Sequence, residues 1–330
     1  MSKIVLLTTY GIKCGIASYS EYLINALNKT IPDSVLVHQM NSRSSKYKID
    51  SKGELNGGIV HLQHEFGIFP DHMPDISSKY KVITTFHTIS DSEKMKSVIR
   101  KLEKNYDVVG YIVHNECARA NLDTSKNIWT IPHGSMIIPE MDKMEARRRL
   151  GLGEFGVGKK IGFVFGFQSG DKHYERMMNA AHNVGVYLLI SGAPREDVKL
   201  DKTIFKGKGG TFFISRFLNE VEVNLYALAS DFLLFDYSAK EHYSVSGAMH
   251  RIVGAGRPVI CSDIRHFSDI ENEKSCLKFK DTKGLERCIR KVLDNPNEEE
   301  RLGMEARRYA EATSWEKAAH KHVQIYTQVI

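Results

Sequence analysis

The sequence predicts an α/β fold built from two Rossmann-like domains, and three observations predict it. The chain has 330 residues, which is more than one hydrophobic core usually serves. Short β-rich runs alternate with helical patterns along the whole chain, an order typical of parallel sheets with helical crossovers. The glycine- and charge-rich segment Arg147–Lys160 separates two halves of this alternation. We therefore expect domains at residues 1–150 and 151–312, followed by a C-terminal helix over residues 313–330.

The first half contains six strand candidates and three helix candidates. Each strand candidate is a short run rich in β-branched or aromatic residues, and each helix candidate repeats apolar residues at helical spacing. The strands are predicted at Ile4–Thr9, Val35–Gln39, Ile59–Gln63, Val82–Phe86, Val108–His114 and Ile128–Pro132. The helices are predicted at Ser18–Asn28, Ser92–Asn105 and Cys117–Leu122.

The second half repeats the same alternation. Its strands are predicted at Ile161–Phe165, Tyr187–Ser191, Phe232–Phe235 and Val259–Ser262. Its helices are predicted at Tyr174–Asn183, Asn219–Ala229, Val245–Gly254, Gly284–Leu293, Glu298–Ala310 and Trp315–Val329.

The composition excludes some classes of protein but does not identify a ligand. The 46 basic and 40 acidic residues leave a net charge of +6, which suits an anionic ligand, a membrane surface or nucleic acid equally. No apolar run approaches the roughly 20 residues of a membrane span, and the N-terminus has no small-residue cleavage site, so we expect no signal peptide. The five cysteines are scattered and never form C-x-x-C, which predicts reduced thiols in a cytoplasmic protein.

Two glycine-containing segments resemble phosphate loops without matching either fingerprint. Gly11 and Gly15 follow the first predicted strand, but their spacing fits neither G-x-G-x-x-G nor a P-loop. Gly153, Gly158 and Lys159 match the first part of a P-loop, yet Lys160 replaces the Ser or Thr that would bind Mg²⁺, and no strand precedes them. We interpret this second segment as a linker. The spacing of Gly11 and Gly15 does not identify the ligand of the first loop.

Four predicted strands of the first half end in a histidine. His64, His87, His114 and His133 follow successive strands, and the carboxyl ends of parallel strands form the ligand-binding edge of such sheets. One such histidine is ordinarily a satisfied, half-buried side chain, but four at one edge indicate a polar cleft. We expect no metal site at the closely spaced histidines of the sequence. His61 and His64 point to opposite faces of a strand, and His320 and His322 point in different directions on a helix.

In the second half, Lys172 follows a strand, and the stretch Asp236–Asp263 contains a helix start. Ser244, Ser246 and Gly247 would open that helix, where free N–H groups favour an anion such as a diphosphate. The alternative is an ordinary helix capped by serine. Local sequence does not decide between the two.

Seven ordered stretches resemble glycosyltransferases of the GT-B fold, specifically family 4. They are "TTYGIKCGIASYSEYLINAL", "VHLQHEFGIF", "TTFHTI", "WTIPHG", "FLNEVEVNLYALASDFLLFDY", "SVSGAMHRIVGAGRPVICSD" and "TSWEKAAHKHVQIY". Together they span essentially the whole chain. The resemblance implies two Rossmann-like domains facing across a cleft, with the C-terminal helix crossing back to the N-terminal domain.

The resemblance also implies an activity and a set of site residues. A nucleotide-diphosphate sugar, UDP- or GDP-linked, would bind mainly the second domain, and the acceptor hydroxyl mainly the first. Hexosyl or pentosyl transfer would retain anomeric configuration and need neither cofactor nor metal, in line with the absence of a D-x-D pair. The implied catalytic residues are His87 and Glu241. The implied donor-binding residues are Gly11, Gly15, Lys172, Arg216, Ser244, Ser246, Gly247 and Ala248. The implied acceptor or cleft residues are His64, Glu65, His114 and His133.

The sequence departs from the family pattern at three positions. Many relatives carry two glutamates eight residues apart, where this chain has Tyr243 and Arg251; Glu241 stands two positions early. The arginine that often partners the lysine is missing, with Ser169 or Phe167 in its place. A subgroup with "SG" before this helix also lacks the second glutamate. Arg251 either supplies the absent cation or is a helix-surface residue.

The acceptor stays open. The predicted helix within Ser92–Tyr106 has one apolar face and a basic remainder, which fits a core-packed helix with a solvated face, anionic lipid or a DNA backbone. Three hypotheses follow. The first is a cytoplasmic glycosyltransferase, either free or peripheral at the membrane, that acts on a lipid-linked glycan or polysaccharide. The second is the same transfer onto a modified base in DNA, and the third is a non-catalytic protein that binds a nucleotide or a partner. Sequence does not predict the oligomeric state.

Overall fold

A computed structural model describes residues 4–12, 14–40, 48–49, 58–66, 75–76, 78–90, 92–152, 158–194, 210–239 and 241–330. Gly153, part of the partial P-loop match, lies outside these residues. The chain divides into two compact units. The first contains residues 1–134, 240–247 and 313–330, and the second contains residues 135–239 and 248–312. The predicted division at residues 150 and 312 stays a prediction.

Strands and helices alternate through both units, as predicted. The strands are β1 (Ile4–Thr8), β2 (Val35–Gln39), β3 (Lys48–Ile49), β4 (Gly58–His64), β5 (Asp75–Ile76), β6 (Tyr80–Phe86), β7 (Asp107–Val113), β8 (Asn127–Thr130), β9 (Ile161–Phe165), β10 (Tyr187–Ser191), β11 (Thr211–Ile214), β12 (Phe232–Phe235), β13 (Val259–Ser262) and β14 (Leu277–Phe279). The helices are α1 (Gly15–Thr30), α2 (Glu93–Asn105), α3 (Glu116–Ala120), α4 (Lys143–Arg149), α5 (Tyr174–Val184), α6 (Glu220–Ala229), α7 (Gly247–Ile252), α8 (Thr282–Leu293), α9 (Pro296–Ala312) and α10 (Trp315–Val329).

Each unit is built on a six-stranded parallel sheet. The first sheet has the order β2-β1-β4-β6-β7-β8, and the second has the order β11-β10-β9-β12-β13-β14. The strand order reverses direction between β1 and β4 in the first sheet and between β9 and β12 in the second. In doubly wound sheets these switch points leave a crevice at the carboxyl ends of the strands, where ligands bind. The α/β fold class is therefore confirmed, and each sheet has one favoured ligand edge.

Buried apolar strands explain why the sequence forms these sheets. The side chains of β1 and β12 are buried along their whole length, as expected for strands covered by helices on both faces. Buried apolar clusters lie on the sheet of the first unit and on both faces of the sheet of the second. The cores therefore fix the sheets and leave their carboxyl edges for polar side chains.

Most predicted helices differ from the observed ones by one to three residues at their ends, and two of these differences lie beside predicted site residues. Helix α1 begins at Gly15 rather than Ser18, because the Cys14 sulfur accepts the N–H of Ala17 at 3.2 Å and caps the helix. Helix α7 spans only Gly247–Ile252 rather than Val245–Gly254. Gly254 leaves the helix to form a β-bridge with Ile137. The elements β3, β5, β11, β14 and α4 were not predicted, and each is too short to give a clear periodic pattern.

The C-terminal helix α10 belongs to the first unit. Its N-terminus places the Trp315 ring 5.0 Å from the ring of Tyr19 and 5.7 Å from that of Tyr22, both on α1. Near its C-terminus, the Lys81 ammonium donates to the Val329 carbonyl at 2.6 Å. The return of this helix to the N-terminal domain is thus confirmed. None of the described helices is long and apolar enough to cross a membrane.

Candidate functional site

In the first unit, three of the four predicted histidines form one cluster. The ring centres of His87 and His114 are 5.2 Å apart, and those of His114 and His133 are 5.5 Å apart. The Tyr19 ring packs against all three, at 4.6 Å from His87, 5.3 Å from His114 and 5.0 Å from His133. The sheet edge therefore presents a compact group of imidazoles around one tyrosine.

Burial keeps the ring of His87 neutral. Desolvation, followed by the nearby rings of His114, His61 and His64, lowers the pKa of His87 well below its ordinary value. Both of its nitrogens have partners: Nε2 lies 2.9 Å from Gln63 Oε1, and Nδ1 lies 3.3 Å from His114 Nε2. A neutral, doubly hydrogen-bonded ring is suited to holding a substrate in place rather than to supplying charge.

His64 and Glu65 lie at the end of β4, beside this cluster. The His64 ring packs on Phe86 at 5.1 Å and on Phe66 at 5.3 Å, and desolvation, then Lys94, lowers its pKa to about 3. The Glu65 carboxylate accepts from the Thr88 hydroxyl at 2.8 Å and from the Phe66 N–H at 3.0 Å. His64 thus behaves as an aromatic wall, and Glu65 is the carboxylate of this edge.

The segment 241–247 runs beside the loop that follows β6. Tyr243 and Ile89 exchange two backbone hydrogen bonds of 2.7 and 2.8 Å, which sets this segment close to the His87 loop. At its end, a Cβ added to Gly247 would lie 3.5 Å from His133 Nε2. Ser246 is buried, whereas Glu241 is exposed. The structure therefore brings Gly247 to the histidine cluster, and the roles of Glu241, Ser244 and Ser246 stay predictions.

The opening loop after β1 is an open turn. Gly11 has a φ of +66°, a left-handed conformation that glycine adopts without strain. Its N–H donates to Glu21 Oε1 at 3.2 Å, and no described atom lies within 4 Å of a Cβ placed at Gly11 or Gly15. The loop leaves space for a ligand, in keeping with its predicted role, which stays a prediction.

In the second unit, Lys172 lies at the switch point between β9 and β12. Its backbone forms a bridge with Tyr237, which follows β12. Its ammonium donates to the Phe167 carbonyl at 2.7 Å and lies 5.4 Å from the centre of the Tyr237 ring. A Cβ added to Gly166 would lie 3.2 Å from this ammonium and 3.0 Å from the Ala248 Cβ. Lys172, Gly166 in the turn after β9 and Ala248 in α7 therefore lie close together within the second unit.

The ammonium of Lys172 is buried, and no carboxylate of the described residues binds it. The residue is 7% exposed, and among the described residues its side chain forms hydrogen bonds only to backbone carbonyls. Desolvation lowers the pKa of Lys172 to about 7, against a smaller opposing effect of Asp171. Burying an amine without an anion is unfavourable, so this position would gain from an anionic ligand.

Two other cations predicted or considered for the donor site have carboxylate or amide partners. Arg216 is paired with Glu222, and its Nη1 donates to that carboxylate at 3.0 Å. Glu222 also completes a capping box with Asn219 at the start of α6. Arg251 donates to Asn224 at 3.0 Å. Arg216 therefore helps to fix the start of α6, and its predicted contact with the donor stays a prediction.

Sequence reasoning missed the residues that surround the histidines. Tyr19 and Trp315 come from α1 and α10, which are distant in sequence, and Trp315 packs on His133 at 5.5 Å. The Tyr19 hydroxyl is buried and has no hydrogen-bond partner among the described residues. No local pattern marks Tyr19, because its burial depends on a helix that arrives almost 300 residues later. No metal-binding group of His, Cys, Asp or Glu occurs in the part of the chain described.

Comparison with known proteins identifies the fold. By sequence, the chain matches no protein-family model and no curated protein. Its structure is similar to that of HepE from Anabaena in complex with UDP and glucose, with 11% identity, coverage of 99% of this chain and 100% of that one, and a TM-score of 0.72. It is similar to a glycosyltransferase from Rickettsia africae (12% identity, 99% and 98% coverage, TM-score 0.71).

It is also similar to WaaG, a glycosyltransferase involved in lipopolysaccharide biosynthesis, with 13% identity, coverage of 98% of this chain and 99% of that one, and a TM-score of 0.65. These likenesses extend over the whole chain. The chain therefore has the GT-B fold predicted from its sequence.

Proposed function

We propose that this protein is a glycosyltransferase that moves a sugar from a nucleotide-diphosphate sugar to an acceptor hydroxyl. The observation that carries the proposal is the buried ammonium of Lys172 at the switch point of the second sheet. The whole-chain likeness to HepE, whose structure contains UDP and glucose, supports the same ligand class. An anion such as a diphosphate would supply the negative charge that the lysine lacks.

The proposed chemistry needs stabilisation of the leaving group more than it needs a nucleophile. Breaking the bond between the anomeric carbon and the diphosphate places negative charge on the phosphates and positive charge on the sugar. Fixed positive charge and N–H donors at the phosphates favour that state. Lys172 would supply the charge, and the backbone around Ser246, Gly247 and Ala248 the donors. Since α7 has only six residues, we assign the larger share to Lys172.

The two units have different roles in the proposal. The second unit would bind the donor through Lys172 and the turn that contains Gly166. The first unit would bind the transferred sugar and the acceptor through His87, His133, Glu65 and their neighbours. Glu65 is the carboxylate that the histidine edge offers to an acceptor hydroxyl. We propose retention of configuration without a metal, to be tested by NMR of the product anomer and by activity in EDTA.

We propose UDP rather than GDP as the nucleotide of the donor, since HepE has been seen with UDP-glucose as well as UDP. For the acceptor, we propose a lipid-linked glycan or polysaccharide, in line with the role of WaaG in lipopolysaccharide biosynthesis. The basic side of α2 would rest on an anionic membrane. On that side Lys96 and Arg100 pair with Glu93, which reduces its charge.

A ligand screen followed by one substitution tests the proposal. Melting temperatures are measured with UDP, GDP, ADP, UDP-glucose, UDP-galactose, UDP-N-acetylglucosamine and GDP-mannose, since a ligand that binds the native state raises the melting temperature. Nucleotide release from each sugar donor is then measured for the native protein and for Lys172→Ala. We expect stabilisation by a uridine nucleotide and loss of release in the variant. No stabilisation by any member would contradict the proposal, and binding without release would indicate a non-catalytic protein.

A further inference from the structure

A line of buried polar side chains connects His87 to the C-terminal helix. His87 Nε2 lies 2.9 Å from Gln63 Oε1, and Gln63 Nε2 lies 3.2 Å from His61 Nε2. His61 Nδ1 lies 2.6 Å from the hydroxyl of Tyr326 on α10. In the other direction, His87 Nδ1 contacts His114 Nε2 at 3.3 Å, and His114 Nδ1 lies 3.0 Å from the Ile131 carbonyl oxygen. We call these five side chains the polar chain.

Four side chains of the polar chain are buried, and His87 is half-buried. Gln63, His61 and Tyr326 are fully buried. Desolvation lowers the pKa of His61 and of His87 well below the ordinary value. The rings of His322 and His114 lower the pKa of His61 further, and those of His114, His61 and His64 lower that of His87. Among the described residues, the titratable groups beside it are His64, His133, Tyr19 and His322, and burial lowers the pKa of His322 to about 4. Nothing in this surrounding favours an additional proton, so the chain is neutral.

The Ile131 end fixes the direction of the hydrogen bonds. A carbonyl oxygen only accepts, so His114 carries its proton on Nδ1 and has a lone pair on Nε2. His87 must then donate from Nδ1 to His114, which leaves a lone pair on His87 Nε2. That lone pair needs a donor from Gln63. A half-turn of the Gln63 amide, which exchanges its oxygen and nitrogen without moving other atoms, supplies one.

The remaining contacts then follow without conflict. The Gln63 oxygen accepts from His61 Nε2–H, which also lies 2.7 Å from the Thr85 hydroxyl. His61 Nδ1 accepts from the Tyr326 hydroxyl. With the opposite amide orientation, lone pairs of His87 and His114 would face each other at 3.3 Å, unless the chain took up one more proton. Each contact of the neutral chain thus has one donor and one acceptor.

We propose that Tyr326 is a positioning residue for sugar transfer: through His61 and Gln63, it holds His87 in one orientation with its proton on Nδ1. The role in transfer rests on the proposed function, whereas the tautomer does not. Since both nitrogens of His87 are occupied, the ring contacts the sugar as a fixed wall and exchanges no proton with it. The C-terminal helix is therefore part of the machinery that orients the site.

The tautomer is tested by NMR on protein labelled with ¹⁵N-histidine. Two-bond ¹H–¹⁵N spectra distinguish protonated from unprotonated ring nitrogens, and His87→Gln assigns the His87 signals. We expect a protonated Nδ1 and an unprotonated Nε2 at His87 in the native protein. A protonated Nε2 would overturn the proposal. In Tyr326→Phe, we expect the signals of both His61 and His87 to shift or to show a second tautomer.

The role in transfer is tested by kinetics on the same variant. The donor is whichever sugar nucleotide of the screening panel gives the fastest nucleotide release. We expect Tyr326→Phe to lower kcat roughly tenfold with little change in the KM for the donor, as for a loss of orientation. Gln63→Leu breaks the chain at a second point and should have the same effect on kcat and on the His87 spectrum.

Tyr111→Phe is the matched control. Tyr111 is a fully buried tyrosine of the same unit, and its hydroxyl donates to Glu103 at 3.1 Å, away from the polar chain. It should leave both kcat and the His87 spectrum unchanged. An equal loss of kcat in Tyr111→Phe and Tyr326→Phe would overturn the positioning role, as would an unchanged His87 spectrum in Tyr326→Phe. Absence of any nucleotide release by the native protein would defeat the proposed function alone, and the spectra would still decide the tautomer.

Discussion

At the scale of single residues, Lys172 combines two properties that conflict in a stable core: charge and burial. Among the described residues, its ammonium donates to backbone carbonyls and lies over the ring of Tyr237. Proteins keep such unfavourable groups where function needs them, at a cost in stability. Two predictions follow from this position.

Replacing Lys172 by Met should stabilise the fold while weakening donor binding. Because burial lowers the pKa of Lys172 from 10.5 to about 7, the unfolded state binds the proton more tightly than the native state. The stability cost is full below pH 7 and fades as the pH rises toward 10.5. At pH 6, we expect Lys172→Met to raise the free energy of unfolding by about 1–3 kcal/mol in urea titrations.

The same substitution should reduce the affinity for the donor about 100-fold by calorimetry, as expected when a buried charge loses its partner. Lys274→Met is the control, because Lys274 is exposed and pairs with Glu271 at 2.9 Å. It should change neither quantity. Unchanged donor affinity in Lys172→Met would remove this residue from the site.

Donor binding should depend on pH through Lys172. Bound diphosphate would raise the pKa of Lys172 above its value of about 7 in the free protein. Affinity is then highest below pH 7 and falls by up to about tenfold per pH unit above it. The test is calorimetry with UDP-glucose from pH 6 to about pH 9, since its diphosphate has no proton to lose in that range. The arginine of Lys172→Arg stays charged over this range, so the affinity of this variant should not depend on pH. If its affinity still fell with pH, another group would cause the pH dependence.

Sequence alone predicted the position of Lys172 but not its surroundings. The residue was found because it follows a strand of a parallel sheet, where ligands bind. Its burial depends on Tyr237 and Ala248, which lie more than 60 residues away in the sequence. For the same reason the sequence included Arg216 among the donor cations, although Glu222 already pairs with it in the structure.

At the scale of elements, the strands of the second sheet were predicted better than the helices that border the site. Four strands, among them β9 and β12, have the predicted bounds, because a buried strand is a compact apolar run. Helix α7 is shorter than predicted, since Gly254 pairs with Ile137 instead of continuing the helix. Strand β14 has three residues, too few to give a periodic signal.

The packing of α10 on the first unit can be tested at Gly134. A Cβ at this position, in the loop that follows β8, would overlap the buried Trp315 ring. We expect Gly134→Ala to lower the free energy of unfolding by roughly 2–3 kcal/mol in urea titrations, as for overpacking of a core. The double variant with Trp315→Leu should recover part of that loss, which is the signature of a direct contact.

Gly170→Ala is the control for this pair, because no described atom lies within 4 Å of a Cβ added there. It should stay close to the stability of the native protein. If Gly134→Ala were as stable as Gly170→Ala, the contact between Gly134 and Trp315 would be wrong.

At the scale of the whole molecule, each unit is built from more than one segment of the chain. Residues 240–247 and 313–330 belong to the first unit, although the segments that precede them belong to the second. Local periodicity cannot predict that a segment returns to an earlier unit, because it indicates that a face is buried but not which element buries it. The resemblance to GT-B glycosyltransferases predicted that the C-terminal helix returns to the first unit. No sequence pattern predicted that residues 240–247 belong to the first unit.

Hydrogen exchange should locate the donor on the second unit. With UDP bound, we expect slower exchange of the amides that follow β9, from Gly166 to Lys172, and of those at the start of α7. The amides of α8, a helix with no residue assigned to the site, are the internal control and should not change. Protection confined to the first unit would contradict the assignment of the donor to Lys172.

By itself, the sequence determined the alternating strands and helices, the two parallel sheets and the residues that follow each strand, because burial and periodicity are local properties of the chain. Only the tertiary structure decided what each of those residues touches: the ammonium of Lys172 on backbone carbonyls, the imidazoles gathered around Tyr19, and the line from His87 to Tyr326. Hydrogen bonds and desolvation depend on distances between segments far apart in sequence, and folding alone sets those distances.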